Sequence, residues 1–425
     1  MTHTIFWFRR DLRLTDNTGL FEALKSNTNV LPIFIFDEKI LNELEADDAR
    51  VQFIHQSLEH INNELKNYKS SILCLKGNPL ELWKQLISDY NIEAVYTNTD
   101  YEPYAKQRDA EVESLLSENN ISFHTFKDQV IFEPHDILKQ DGNPYTVYTP
   151  FKNKWLEHFK GVALHTKPEF ENLYQNAFDF PSLESIDFKN ANKAVKAFQL
   201  DQVSDYAKFR DYPNKDIGSY LGPHLRFGTV SIREIISELK PEDSTFLSEL
   251  IWREFFMQIL FHFPHVVHNN FRNKYDDIAW RNDEDEFKLW CEGKTGYPMV
   301  DAGMRQLNKT GYMHNRVRMV TAAFLCKHLL VHWTWGEAYF AKHLLDYELA
   351  SNNGNWQWSA GTGCDAAPYF RIFNPITQLE KFDKNLEYVK TWIPEYGTDS
   401  YPEPMVDHKT ARLRALDVYK EGIRS

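Results

Sequence analysis

The sequence predicts an α/β N-terminal domain, built as a doubly wound parallel sheet, followed by an all-helical C-terminal domain. Three observations predict it. Five short apolar runs in the first 126 residues alternate with amphipathic helical periods. Beyond residue 196 the strand signal stops and helical periods take over. A chain of 425 residues is also too long for one hydrophobic core.

In order, Thr4-Ile5-Phe6-Trp7-Phe8 reads as a buried strand, followed by strands at 30–36, 71–75, 94–97 and 122–126. Helical patterns lie at 50–67, 79–91 and 104–119. Continuous apolar strands separated by amphipathic helices imply a sheet covered on both faces, here residues 1–128. The turn Arg9-Arg10-Asp11-Leu12-Arg13 after the first strand is no GxGxxG loop, so a standard dinucleotide site is disfavoured. Residues 129–195 are irregular, with Glu133-Pro134, Asn143-Pro144, Thr149-Pro150 and Phe180-Pro181, and read as a connector. Residues 196–425 form the helical domain, with clear periods at 246–262 and 313–330.

The net charge of −13 is awkward for a nucleic-acid binder, because phosphate contact needs Lys and Arg. Residues 301–327 offer a basic face: Arg305, Lys309, Arg316, Arg318 and Lys327 against Asp301, a net of +4. An ordinary solvated helix face explains those charges equally well. The four cysteines have no metal-ligand or CxxC spacing, so no metal site is expected and reduced thiols in the cytoplasm fit best. Neither a signal peptide nor a transmembrane run is visible, and a monomer is expected.

Three stretches of the helical domain carry chemistry. In Glu249-Leu250-Ile251-Trp252-Arg253-Glu254, residues Glu249, Trp252 and Arg253 share one helix face. They suit a planar polar ligand, or a core Trp beside a surface ion pair. In Gly311-Tyr312-Met313-His314-Asn315-Arg316-Val317-Arg318-Met319, residues Asn315, Arg318 and Met319 share a face. The stretch from Asp346 to Trp358 sets carboxylates, amides and two Trp within thirteen residues. So many polar groups among aromatics point to a ligand site, because in a plain core each would need a partner.

These stretches, in this order and with Trp7-Phe8-Arg9-Arg10-Asp11-Leu12-Arg13-Leu14 at the start, resemble the photolyase/cryptochrome family over nearly the whole chain. The pattern is most like the bacterial class I enzymes that act on cyclobutane pyrimidine dimers. The resemblance implies an N-terminal antenna domain and a C-terminal domain holding non-covalent FAD. It assigns Tyr206 and the loop Gly218-Ser219-Tyr220-Leu221-Gly222 to the FAD phosphates. The family usually has a hydroxyl residue at position 218 and Ser at 222, so only backbone contacts carry over there. By their spacing alone these residues are just a turn. Asp346 and Glu348 match residues along the flavin ring, and Arg318 the ion-pair partner of Asp346. Asn352 matches the residue facing flavin N5, where a neutral amide can donate to reduced flavin; a helix-end cap is its ordinary role. Trp356, Trp333 and Trp280 match an electron-transfer chain, although Trp is also common core filler.

The same resemblance implies the substrate, UV-damaged DNA. Six-four photolyases carry two His where this chain has Asn315 and Met319, which favours cyclobutane dimers. Glu249 matches the carboxyl that holds the dimer, and Trp252 and Trp358 the walls of its pocket. Arg210, Arg253, Arg316 and Gln378 are assigned to substrate contacts; as isolated residues Arg210 and Gln378 would be ordinary surface groups. A signalling cryptochrome is the alternative, disfavoured by repair-like pocket residues and by a chain that ends about fifty residues after Pro375. Folate-using relatives have Asn-Glu where this chain has Tyr104-Ala105, so a second antenna chromophore can be folate, a deazaflavin, a flavin or none.

Overall fold

The computed structural model describes residues 2–166 and 168–423. Its contacts divide the chain into two compact units. The first comprises Met1–Asp136, His158–Ala197 and Leu221–Lys240; the second comprises Ile137–Glu157, Phe198–Tyr220 and Pro241–Ser425.

The first unit is a five-stranded sheet of β1 (His3–Phe8), β2 (Val30–Asp37), β3 (Leu73–Gly77), β4 (Ile92–Asn98) and β5 (Ser122–Phe126), in the order β3-β2-β1-β4-β5. All four pairings are parallel. Strand side chains alternate between faces, and both faces here are covered. Phe6, Phe8, Phe34 and Phe36 enter one core with Leu20, Leu24, Leu58 and Ile61. Ile5, Trp7, Leu31 and Ile33 enter the other with Trp83, Val112 and Leu116. The unbroken apolar runs in the sequence follow from this double burial.

The turn after β1 is held by buried charge. Arg9 pairs with Asp109 and with the carbonyl of Asn98. Arg10 bonds Asp100 at 3.2 Å and Glu102 at 3.0 Å. Arg13 reaches Asp128 at 2.6 Å and the carbonyl of Gly228 at 3.0 Å. Arg233 binds Asp16 at 2.9 Å and Asp128 at 2.8 Å. Burial pushes the Asp11 carboxyl up to about 6.

These bonds explain why the units depart from boundaries at 128 and 195. Residues 221–240 join the sheet through Gly228 and Arg233. Within the expected connector, Leu173, Leu183, Ile186 and Phe188 fill the sheet's core. Residues 137–157 instead join the helical unit, where the Trp155 indole donates to Glu254 at 2.7 Å. Periodicity locates elements but does not say which core they fill.

The helical unit is built around the helices Ser244–His262, Pro298–Thr310, Asn315–Ala323, Trp333–His343 and Leu349–Ala360. The expected helix at 313–330 is interrupted: a π-helical turn, Phe324–Leu329, follows Ala323, and Leu330 is left-handed at φ +50°. His314 caps Asn315–Ala323 by accepting from the amide of Arg316 at 3.2 Å. Burial, then Arg318 and Arg316, lower its pKa to about 4.

Two outcomes follow from these contacts. Gly228 has φ +68°, and a Cβ there would lie 2.1 Å from the Arg10 carbonyl oxygen. Gly228→Ala should therefore cost roughly 2–4 kcal/mol, read as a lower urea midpoint. His314 is neutral when folded, so its contribution is present above the unfolded pKa of 6.5 and is lost as pH falls toward about 4. His314→Asn keeps a capping side chain and should remove about 2 kcal/mol of the acid-dependent stability loss between those limits. Urea titrations of both proteins across that range measure the difference.

Candidate active site

The site is built on the helix Leu349–Ala360. Glu348 starts it, its carboxylate accepting from the amides of Ala350 at 3.2 Å and Ser351 at 2.8 Å. Gly361 ends it in the left-handed conformation, at φ +88°. One stripe of this helix, Ser351, Asn352, Asn355, Trp356 and Ser359, faces a cleft open to solvent. Asn315, Arg318, Met319 and Ala322 form another wall, at the spacing of one helix face. Asp346, Tyr347, Glu348 and Trp358 complete the polar and aromatic lining.

Arg318 donates to Asp346 Oδ2 at 2.7 Å and to the carbonyl of Met313 at 2.8 Å. The other carboxylate oxygen, Asp346 Oδ1, is buried without a hydrogen-bond partner. Asn352 Nδ2 donates to Glu337 Oε1 at 2.8 Å and to the Glu337 carbonyl at 3.1 Å. Both amide hydrogens are thus committed, and Asn352 has only its oxygen to offer a ligand. Burial raises the Glu337 pKa, against the Asn352 bond that lowers it.

Glu249 pairs with Arg210 at 2.6 Å, a partner outside its own helix, and burial still raises its pKa. Trp252, half-buried, stacks on Tyr148 with centroids 3.6 Å apart and planes at 9°. Trp358 lines the cleft, whereas Glu249 and Trp252 are outside its lining. Arg253 is half-buried on the same helix as Glu249. Gln378 Oε1 is buried without a partner in the helix Pro375–Phe382.

Tyr206 packs edge-on against Phe246 at 5.4 Å, with the Arg210 guanidinium over its ring. In the loop, the carbonyls of Gly218 and Ser219 accept from Gln199 at 3.1 and 2.9 Å. Tyr220 is left-handed at φ +52°, its ring 5.3 Å from Tyr312. Leu221 and Gly222 begin the helix Leu221–Phe227, which belongs to the sheet unit. The five-residue loop is thus split between the units.

Trp356, 2% exposed, packs against Phe340 at 4.9 Å and Trp290 at 6.1 Å. Trp333 is buried and donates to Asn270 at 2.9 Å. Trp280 and Trp333 both lean on His332, at 5.2 and 5.5 Å.

The expected basic face is largely neutralised. Arg305 pairs with Glu395, Arg316 with Asp211 and Arg318 with Asp346. Lys327 is buried, bonded to the Tyr369 carbonyl and set over the Tyr419 ring. Lys309 remains exposed. Sequence reasoning also missed Glu337 and Tyr148, which no local spacing connects to their partners. It missed Ser351, Asn355 and Ser359 as well, although their spacing of four marks a helix stripe.

Residues 4–171 match the family described as DNA photolyase, and residues 246–399 match the FAD binding domain of DNA photolyase. The Vibrio cholerae protein named deoxyribodipyrimidine photo-lyase is 37% identical, across 98% of this chain and 99% of that protein. The class III photolyase from Agrobacterium tumefaciens superposes with a TM-score of 0.90 at 34% identity, covering 100% of this chain and 98% of that one. An archaeal photolyase from Sulfolobus tokodaii with two FAD molecules gives 0.88 at 34% identity, covering 99% and 100%. The chain belongs to the photolyase/cryptochrome family.

Proposed function

We propose that the chain is a deoxyribodipyrimidine photo-lyase that uses FAD and light to split cyclobutane pyrimidine dimers in DNA. The observation that carries this reading is Asp346: one carboxylate oxygen is held by Arg318, and the other is a buried acceptor without a protein partner. A flavin ring N–H fits that acceptor, because a buried oxygen left unpaired is costly. Asn352 would present its oxygen to the same ring, while Glu348, committed to capping, would contribute shape and charge. Tyr206, Gly218, Ser219 and Tyr220 are the candidates for the phosphate end, and Arg253 is a candidate for substrate contact. Reduced FAD, when bound and lit, would lend the dimer one electron and recover it after the ring bonds open.

The remaining chemistry belongs to the chain. Asn315 and Met319 line the cleft, and neither an amide nor a thioether can act as an acid at neutral pH. That favours the cyclobutane dimer over a substrate needing proton donation. Glu249 would hold the dimer's polar edge, with Arg210 opposing the rise in its pKa that burial causes. Trp252 and Trp358 would be the apolar walls that exclude water, and Trp356, Trp333 and Trp280 the electron path to the surface. Arg210, Arg316 and Gln378 would contact DNA outside the pocket, Arg316 by giving up Asp211. Repair is favoured over signalling because the relatives, matched end to end, carry the photo-lyase name.

The sheet unit would serve as the antenna domain. Tyr104 is tied to Asp37 at 2.6 Å with Lys39 over its ring, where folate users carry Asn-Glu. This favours a deazaflavin, a flavin or no second chromophore. The four free cysteines support a cytoplasmic setting, and a monomer is expected, which light scattering reads directly.

FAD-loaded, pre-reduced protein should remove the dimer from an oligonucleotide under blue light and leave it intact in the dark. Equal dimer content in both arms would overturn the function. Glu249→Gln should lower repair by roughly tenfold, the worth of a charged hydrogen bond. Trp356→Phe should strongly slow photoreduction of oxidised FAD while sparing repair by pre-reduced protein. Wild-type photoreduction in that variant would remove Trp356 from the path.

A further inference from the structure

Trp252 can serve a flipped base only if its ring is held. A free indole would lose rotamer freedom on binding, at about 0.5–1.5 kcal/mol for an immobilised side chain. The Tyr148 ring covers one face of it, 3.6 Å away at 9°. Direct face-to-face stacking is not the arrangement aromatic rings prefer when left to themselves. It is imposed here by what holds Tyr148. The Tyr148 hydroxyl donates to the Ser248 carbonyl at 2.7 Å, and its amide donates to Asp365 Oδ2 at 3.0 Å. Its ring meets Phe255 edge-on at 5.8 Å, and the residue is only 7% exposed. Such a side chain is a fixed backing rather than a plug that swings aside. Ser248 immediately precedes Glu249 in the helix Ser244–His262. One tyrosine therefore braces the ring of Trp252 and the turn carrying Glu249.

We propose that Tyr148 is a positioning residue for dimer recognition, holding the plane of Trp252 and the helical turn of Glu249 before DNA arrives. The proposal rests on the repair reading of the same site. It assigns Tyr148 no contact with reacting atoms. Its signature is a change in discrimination between damaged and undamaged DNA, which general loosening of the fold would not produce.

Three variants of the FAD-loaded protein separate the possibilities, with binding measured in the dark by competition between dimer-containing and undamaged duplexes. Tyr148→Phe keeps the ring but loses the hydroxyl bond to Ser248, so it should keep most of the preference for the dimer, with a smaller loss than Tyr148→Leu. Tyr148→Leu keeps apolar bulk without the ring, and Tyr148→Ala removes both. Each should weaken dimer binding by about three- to tenfold, the worth of an aromatic pair, and leave undamaged binding unchanged. FAD content and melting temperature are read alongside. A preference that survives in Tyr148→Leu overturns the proposal. So does a parallel loss for both duplexes, which marks a structural role. A gain in dimer affinity also overturns it, because the ring would then occupy the base's place. If wild-type protein shows no preference for the dimer, the repair reading falls and takes the proposal with it.

Discussion

The site in the helical unit depends on how closely the helix Leu349–Ala360 is gripped. A Cβ at Gly354 would lie 2.1 Å from the Phe256 ring, and one at Gly336 would lie 2.1 Å from the ring of Trp356. The helix therefore lies against two neighbours, Ser244–His262 and Trp333–His343, at distances that exclude any side chain at those two positions. This approach puts Glu337 within hydrogen-bond reach of Asn352 and seals Trp356 inside the core. Close-packed interiors do not deform continuously, so the cleft residues inherit fixed positions from the backbone contacts. A site assembled this way needs little ordering when a ligand enters.

The charged groups of the site are also paired before any ligand is present. Arg318 holds Asp346, Arg210 holds Glu249, and Arg316 holds Asp211. Partly buried charges left alone would be expensive, and these pairs reduce that cost. They also explain how an acidic chain, with a net charge of −13, holds Arg210, Arg316 and Arg318 beside carboxylates. The positive charge is spent internally. A phosphate contact by Arg210 or Arg316 would have to compete with a carboxylate already bonded at 2.6 Å. A ligand at these arginines would therefore be favoured only where it replaces those internal bonds.

The sheet was legible because its signal is local. Continuous apolar strands follow from burial on both faces, and each expected strand overlaps an observed one. The helix Thr18–Ser26 was missed, although Asn17 caps it by accepting from the amide of Leu20. Its short run between two strong strands has little period to read. In the site, residues sharing one helix were legible: Asn315, Arg318 and Met319 do line one wall. Their partners were not. Glu337 lies fifteen residues from Asn352, and Tyr148 lies far from Trp252 in the chain. The charges at 301–327 were misjudged for the same reason, since their partners sit at Asp211, Asp346 and Glu395. Spacing shows which residues share an element, and only tertiary packing decides what they meet.

Asn352 illustrates how strongly such a partner constrains a site residue. Its two amide hydrogens go to the Glu337 carboxylate and the Glu337 carbonyl, both acceptors. A flipped amide would set its oxygen against two oxygens, so the orientation is chemically fixed. Burial raises the pKa of Glu337, and the bond from Asn352 acts against that rise. An aspartate at position 352 would set a second carboxylate beside Glu337, and two such groups cannot both ionise cheaply in a buried setting. One of them would take up a proton, and the cleft would gain a titrating group where it now offers a neutral acceptor. The amide at 352 is thus a statement about Glu337 as much as about any ligand: it adds no second carboxylate beside that buried group.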